Sequence, residues 1–266
     1  MRKKREYGTI IKSFSHRIQW VILMKKFRVH IFSLTQCLFV FGLFFFVLVL
    51  LFSANLAVQY ASANIKTNVL PCVIIDAGHG GEDGGAQTAD GVLEKEINLS
   101  IAKRLQTLLS ALGFETKMTR TDDSLRYDAS CKTMREKKVS DIRARFSMME
   151  QTPNAVFLSI HQNHYSEPKY AGAQVFYSAN TAESPVLAEA IQRSIVKTLQ
   201  PENERVIKPC GDEVYLLYHA NKTAVMVECG FLSNPQEAAK LEDENYQTAL
   251  SLCIVQGLLD YFNHRT

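Results

Sequence analysis

Four side chains that can bind a metal ion or carry a proton occur next to segments with strong strand or helix patterns. Three follow short apolar runs and the fourth begins a long amphipathic stretch; they are His79, His161, Glu228 and Glu94. Catalytic zinc commonly takes three protein ligands from histidine and carboxylate and keeps a fourth position for water. Two histidines and one glutamate form such a set, and a second glutamate can act as general base. The residue types favour a metal-dependent hydrolase, with the roles of the two glutamates open.

His79 lies in a glycine-rich loop that directly follows an apolar run at 72–77. Glycines lack a Cβ atom, so backbone or ligand can approach this loop closely. A functional residue at the carboxyl end of a strand in an open α/β sheet lies where such folds bind ligands. A tight turn with an incidental histidine is the alternative. The loop lacks the glycine patterns of nucleotide-binding loops, so no nucleotide is expected there.

Strand and helix patterns alternate from residue 71 onward. They predict an α/β fold: a single domain with a twisted, mostly parallel central sheet flanked by helices. Strands are expected at 72–77, 115–119, 155–160, 173–178, 213–218 and 224–228. Helices are expected at 95–112, 141–151, 184–199, 235–241 and 246–262. Residues 121–140 are polar and irregular, which favours a long loop.

The N-terminal part differs sharply from this pattern. Residues 1–30 contain nine lysines and arginines and one acid, so the rest of the +3 chain carries a net charge of about −5. That balance gives no support to nucleic-acid binding. Residues 31–57 are apolar over more than the roughly 20 residues that span a bilayer as a helix. Basic residues before such a span predict a cytoplasmic N-terminus and an extracytoplasmic remainder.

The sequence therefore predicts four parts: a basic cytoplasmic N-terminus at 1–30, a transmembrane signal anchor at 31–57, a tether at 58–70 and a catalytic domain at 71–266. A small-residue cleavage site at 61–63 lies about ten residues past the apolar core, further than usual. An uncleaved anchor is therefore favoured over a cleaved, secreted form. The six cysteines have no paired spacing, so we expect mostly buried free thiols.

Longer motifs around the four residues resemble those of the zinc-dependent N-acetylmuramoyl-L-alanine amidases. They are DAGHGGEDGGA at 76–86, EKEINL at 94–99, SIHQN at 159–163 and VECGFLSNP at 227–235, within a match over nearly all of 71–264. The resemblance implies one zinc ion bound by His79, Glu94 and His161, with Glu228 as the catalytic residue. Asn163 is a candidate contact to a substrate amide or sugar group.

The resemblance implies hydrolysis of the peptidoglycan amide between the lactyl group of N-acetylmuramic acid and L-alanine. The short N-terminal anchor and the fourth motif are similar to the sporulation and germination branch, which trims peptide from muramic acid in spore cortex. Gln162 and His164 depart from the small residues usual beside Asn163. His164 either contacts metal or substrate or is an exposed loop residue. A requirement for an activator protein cannot be read from the residues.

Two other functions remain open. A catalytically silent peptidoglycan-binding or regulatory module could use the same fold, but the presence of all four chemical residues disfavours it. A zinc peptidase of peptidoglycan stem peptides would use nearly the same chemistry, and only its products would distinguish it. We therefore expect peptidoglycan and the membrane as partners, and no nucleic acid or nucleotide.

Overall fold

The computed structural model describes residues 23–25, 36–56 and 70–264. The chain divides into two units, 1–68 and 69–266, which are described separately. In the first unit, helix α1 spans Gln36–Leu56 and is long and apolar enough to cross a membrane. Its apolar side chains are exposed, whereas a soluble core helix would bury them, so a membrane anchor or a signal sequence fits this helix. Parts of the predicted segments 1–30, 31–57, 58–70 and 71–266 lie outside the described residues, at 1–22, 26–35, 57–69 and 265–266.

The second unit is built from six strands and six helices. The strands are β1 (Cys72–Ala77), β2 (Thr116–Met118), β3 (Ala155–Asn163), β4 (Gln174–Tyr177), β5 (Lys208–Pro209) and β6 (Thr223–Phe231). The helices are α2 (Glu94–Ala111), α3 (Met134–Gln151), α4 (Glu183–Thr198), α5 (Tyr215–Tyr218), α6 (Pro235–Glu242) and α7 (Glu244–Asn263).

The strands form one sheet in the order β2-β1-β3-β6-β4-β5. The first four strands in this order are parallel, β4 is antiparallel to β6, and β5 is parallel to β4. The predicted single α/β domain with a central sheet is confirmed. Because β1, β3 and β6 are parallel neighbours, their carboxyl ends meet at one edge, where such sheets bind ligands.

Helices cover both faces of the sheet and bury the central strands. One face packs mainly against α2, α4 and α7, and the other against α3 and α5. Strand β1 is buried along its whole length. This explains its apolar run at 72–75, since a parallel strand covered on both faces needs apolar residues in both directions. All six cysteines are free, as predicted, but only three of them, Cys72, Cys229 and Cys253, are buried, where most were expected to be.

The prediction of a strand at 213–218 is wrong, because Tyr215–Tyr218 forms the short helix α5. A short apolar run has too few residues to distinguish a buried strand from a helix by periodicity. Here the Tyr218 amide donates to the Val214 carbonyl at 2.9 Å, and Leu217 is the buried residue of the turn. The edge position beside β4 is taken by β5, which the pattern did not predict.

The long loop predicted at 121–140 is shorter than expected, because α3 begins at Met134. The first turns of α3 are mostly exposed and rich in charged residues, so they show no apolar periodicity in the sequence. The helix start is encoded by a reciprocal cap: the Glu136 amide donates to Thr133 Oγ1 at 3.2 Å, and the Thr133 amide donates to Glu136 Oε2 at 2.9 Å. A threonine followed three residues later by glutamate is the usual signal for such a helix start.

Candidate active site

The loop after β1 holds His79 in an uncommon backbone conformation. His79 has a φ of 62°, in the left-handed region that residues with a side chain rarely adopt. The Arg145 guanidinium stabilises this turn by donating to the carbonyls of Ala77 and His79, both at 2.7 Å. Backbone strain of this kind persists only where the surroundings over-determine it, and it clusters at functional sites.

Arg145 is itself fixed by a buried carboxylate network below the loop. It pairs with Asp76 and Asp141, each at 2.7 Å, and Asp76 also accepts from Thr119 and Ser159. Burial opposes ionisation of Asp76, but the charge and hydrogen bonds of Arg145, the nearby His161 and the Ser159 hydroxyl together hold the pKa of Asp76 below its usual range. This network fixes the Arg145 side chain, which in turn supports the backbone of the His79 loop.

Glu94, the first residue of α2, is almost completely buried and its carboxylate is saturated with hydrogen bonds. Oε2 accepts from the Ala86 amide at 2.9 Å. Oε1 accepts from the Gln162 amide at 3.0 Å and from Asn98 Nδ2 at 3.1 Å. These donors come from the loop before α2, from β3 and from α2 itself, so the carboxylate has one defined position.

Two imidazoles flank this carboxylate. His79 Nε2 lies 3.2 Å from Glu94 Oε2, and His161 Nδ1 lies 3.1 Å from Glu94 Oε1. One possible ligand atom from each of the three residues lies within 4.8 Å of the others. Burial disfavours charge on both His79 and Glu94, but hydrogen bonding prevails. Hydrogen bonds with Asp83 and Glu94 raise the pKa of His79 to about 9, and hydrogen bonds with the two histidines keep the pKa of Glu94 below its usual range.

Two glycines allow these side chains to approach each other. A Cβ atom at Gly78 would overlap the His161 ring, and one at Gly85, where φ is +71°, would lie 2.5 Å from Glu94 Oε2. The close approach expected from the glycine-rich loop is therefore confirmed at these two positions, where any larger residue would displace a potential ligand.

Glu228 joins the cluster from β6. It is paired in register with His161 on β3, so both side chains project from the same face of the sheet. Its Oε2 atom is buried and has no hydrogen-bond partner within the described residues. Burial raises the pKa of Glu228 to about 7; the nearby His161 opposes this shift and Glu94 adds to it. A buried carboxylate oxygen without a partner destabilises the fold, which makes this position chemically notable.

The three residues His79, His161 and Glu228 line one cavity of about 330 Å³. Its further lining combines charged side chains with apolar and aromatic ones; the latter are Ile142, Val214, Tyr215, Leu216 and Met226. The segment 213–216 was missed as a part of the site because the sequence predicted a strand there. Lys138 also lines the cavity and pairs with Asp83 at 2.7 Å.

The two residues after Gln162 lie apart from this cavity lining. Asn163 ends β3, after an irregularity in the β3–β6 register, and its carbonyl accepts from the Leu232 amide at 2.8 Å. His164 is exposed and lines a separate groove with residues 87–90 and 232–233. Among the described residues, the structure brings His79, Glu94, His161 and Glu228 together, and it places Asn163 and His164 beyond them.

The side chains fit a zinc ion by their chemistry. Two imidazoles and one carboxylate are an established ligand set for catalytic zinc, which leaves an open position for water or substrate. Gly78 and Gly85 form a cradle that a Cβ atom would fill, and Glu228 presents an unpaired oxygen beside the cluster. Such a site can activate water against an amide carbonyl.

Comparison with known proteins agrees with this chemistry. The profile of the N-acetylmuramoyl-L-alanine amidase family matches residues 73–260. A germination-specific N-acetylmuramoyl-L-alanine amidase of Bacillus subtilis (strain 168) is 33% identical over 193 residues, which cover 73% of this chain and 80% of the relative.

Solved structures of amidases are also similar. The structure of the CwlD amidase from Clostridioides difficile, in complex with the GerS lipoprotein, has a TM-score of 0.70 and 37% identity, covering 73% of this chain and 98% of that chain. An N-acetylmuramoyl-L-alanine amidase from Clostridium difficile 630 has a TM-score of 0.64 and 30% identity, covering 75% of this chain and all of its own. The chain therefore belongs to the N-acetylmuramoyl-L-alanine amidase family, as its motifs predicted.

Proposed function

We propose that this member of the amidase family is a zinc-dependent enzyme of the spore cortex. It hydrolyses the bond between the lactyl group of N-acetylmuramic acid and L-alanine, which frees the muramic acid for lactam formation. The observation that carries the proposal is the cluster of His79, Glu94 and His161, with Glu228 on the cavity that both histidines line. The germination-specific relative from B. subtilis supports the cortex role.

In this proposal His79, Glu94 and His161 hold the zinc ion. When bound, zinc supplies Lewis acidity and lowers the pKa of a coordinated water to about 7. Glu228 accepts the proton of the attacking water and returns it to the departing alanine amine. Its Oε2 atom suits this role because no neighbouring protein donor in the described residues engages it.

Selectivity must come from contacts outside the reacting atoms, because an activated water attacks many amides. The apolar wall formed by Ile142, Val214 and Leu216 suits the methyl groups on both sides of the scissile amide, one on the lactyl group and one on alanine. Asn163 remains the proposed contact to a substrate amide or sugar group further along β3.

The proposed location is the outer face of the membrane. We assign 1–30 as the cytoplasmic segment, 31–57 as the anchor, 58–70 as the tether and 71–266 as the catalytic domain. The exposed apolar surface of α1 supports an anchor. Protease added outside protoplasts is expected to digest the chain from about residue 64 onward, at the tether expected after a signal anchor; protection of the domain until the membrane is broken would place it in the cytoplasm.

A protein partner belongs to the proposal because the similar CwlD amidase was solved in complex with the GerS lipoprotein. Peptidoglycan hydrolysis by the purified full chain is expected to increase when such a membrane-attached lipoprotein partner is added. Full turnover by the chain without any addition would remove the partner from the proposal.

The decisive experiment is mass spectrometry of peptidoglycan before and after incubation with the detergent-solubilised full chain. We expect released peptides that begin with L-alanine and intact glycan strands with bare lactyl groups. The Glu228→Gln protein is the control and should release neither. Release of D-alanine or cut cross-bridges, with the lactyl–alanine bond intact, would favour the zinc peptidase, and the absence of any product would favour a silent module.

A further inference from the structure

Two buried amide side chains, Asn98 and Gln162, lie directly behind the candidate zinc ligands. Asn98 is 0% exposed and Gln162 is 4% exposed. Asn98 is one helical turn after Glu94 on α2, and Gln162 follows His161 on β3. They therefore belong to two of the three segments that carry the candidate ligands.

Asn98 connects its own segment to the third one. Its Nδ2 atom donates to Glu94 Oε1 at 3.1 Å and to the carbonyl of Gly78 at 3.2 Å. Gly78 immediately precedes His79. One amide nitrogen thus links the carboxylate of one candidate ligand to the backbone that carries another.

Gln162 completes the connection from β3. Its Nε2 atom donates to Asn98 Oδ1 at 3.0 Å, and its backbone amide donates to Glu94 Oε1 at 3.0 Å. The three residues form a closed ring of hydrogen bonds. Because both amides are buried, water has little access to replace either of them.

The chemistry of the neighbours determines the orientation of both amides. The Gly78 carbonyl can only accept, so Asn98 must turn Nδ2 toward it, and the same atom then also donates to Glu94 Oε1. Asn98 then offers Oδ1 to Gln162, which must donate with Nε2. A side chain without an N–H group cannot replace either amide in this ring.

The side-chain amide of Gln162 is only partly satisfied by hydrogen bonds. Its Oε1 atom is buried and accepts no hydrogen bond of normal geometry within the described residues. The polar group beside it is the Cys229 thiol, which stays protonated because burial raises its pKa. A buried polar atom without a full partner is unfavourable compared with an apolar side chain. The donation to Asn98 is therefore the contribution of Gln162 at this position.

We propose that Asn98 and Gln162 are positioning residues that hold His79, Glu94 and His161 in a metal-ready arrangement. The inference rests on the proposed function, since it takes these three residues as the zinc ligands. Groups behind the ligands of a metal site typically change metal affinity by about 10–100-fold when removed, because they orient the ligands before the metal binds. Gln162 acts on the ligands through Asn98, so its effect depends on Asn98.

The test measures zinc affinity of the full chain in detergent by competition with a chromophoric chelator. Asn98→Leu is expected to weaken affinity by about 10–100-fold. Gln162→Met removes the Nε2 donor at similar volume and is expected to weaken it less. The double variant should bind zinc as tightly as Asn98→Leu does, because the Gln162 side chain influences the ligands only through Asn98. With zinc in excess, the Gln162→Met enzyme should recover its kcat.

Both variants are expected to fold. Each leaves only one buried amide atom without its partner, Gln162 Nε2 in Asn98→Leu and Asn98 Oδ1 in Gln162→Met, and the candidate ligand segments keep other donors. The Gly78 carbonyl still accepts from Arg120, at 3.0 Å, and Glu94 Oε1 still accepts from the Gln162 amide. The matched control is Gln192→Met. Gln192 is an equally buried amide that donates to the Ala173 carbonyl and accepts from the Val175 amide, away from the ligands. It should lower the melting temperature and leave zinc affinity unchanged.

The outcomes separate the two proposals. Zinc binding by the wild-type chain with unchanged affinity in Asn98→Leu and Gln162→Met would overturn the positioning role and leave the proposed function intact. An equal loss of affinity in Gln192→Met would also overturn it, because the effect would then reflect general destabilisation. Absence of zinc binding by the folded wild-type chain would overturn the proposed function itself. A loss of affinity confined to the two ring variants supports the inference.

Discussion

The surroundings of Glu94 and Glu228 differ although both carboxylates lie close to His161. The Glu94 oxygens accept from two backbone amides and from the Asn98 side chain. The Glu228 Oε2 atom accepts from none of the described residues. Burial opposes ionisation of both groups, but hydrogen bonding keeps the pKa of Glu94 below its usual range, whereas burial raises the pKa of Glu228 to about 7.

This difference supports the separate roles proposed for two residues of the same type. A carboxylate with a fixed position and a permanent charge suits a metal ligand, because the metal needs a deprotonated donor held in place. A carboxylate with an unengaged oxygen suits a proton carrier, since its acceptor atom is free for water. Environments that separate the ionisation of two nearby carboxyl groups are a general way to divide such roles.

The largest effect is expected from Glu94→Gln. Every Glu94 oxygen accepts hydrogen bonds, so a glutamine amide nitrogen would face a donor in either orientation. We expect the variant to lose its zinc and to hydrolyse peptidoglycan only at background rate, as measured by metal analysis and product release. His161→Ala should behave in the same way. Stoichiometric zinc in both purified variants would remove the ligand role.

The same substitution at the other carboxylate should give a different result. Glu228→Gln keeps the shape of the side chain and removes its capacity to take a proton, so turnover should fall by roughly 10²–10⁴-fold. Zinc content should equal that of the wild-type chain. Loss of zinc in this variant would make Glu228 a ligand and reverse the roles of the two glutamates.

A third prediction concerns the base of the His79 loop. Arg145→Met leaves the buried carboxylates of Asp76 and Asp141 without their cation. We expect the free energy of unfolding to fall by about 3–5 kcal/mol, the usual cost of a buried charge that loses its partner. The control is Lys137→Met. Lys137 lies on the same helix as Arg145 and forms an ion pair with the exposed Glu82, so its loss should change the free energy of unfolding only slightly in a denaturant titration. Equal effects of the two substitutions would argue against the supporting network.

The smallest effect is expected at the start of helix α3, which carries Arg145 in its later turns. Thr133→Ala removes the side-chain cap for the Glu136 amide. The free energy of unfolding should fall by about 1 kcal/mol, while zinc content and turnover stay at wild-type values. Thr133→Ser keeps the hydroxyl and should restore most of the stability. A loss of zinc in Thr133→Ala would show that the frame of the site depends on this distant cap.

Local patterns were sufficient for the elements that position the four residues. The run at Cys72–Ala77 predicted β1 because a strand buried on both faces needs continuous apolar residues. The amphipathic spacing after Glu94 predicted α2 to within a residue at each end. The prediction failed at 213–218, where the apolar run is too short to have a readable period and packing produces α5.

The sequence by itself determined the family, the α/β order and the four residues that meet at the cavity, because these depend on short motifs and on periodicity along the chain. Their roles as ligands and proton carrier remain predictions. Only the tertiary structure decided which glutamate is saturated with donors and which has an unengaged oxygen. It also decided that Arg145 bonds to Asp76, 69 residues away, and that Gln162 bonds to Asn98, 64 residues away. Hydrogen bonds over such separations leave no periodic trace in the sequence, because their geometry exists only after the strands and helices have packed together.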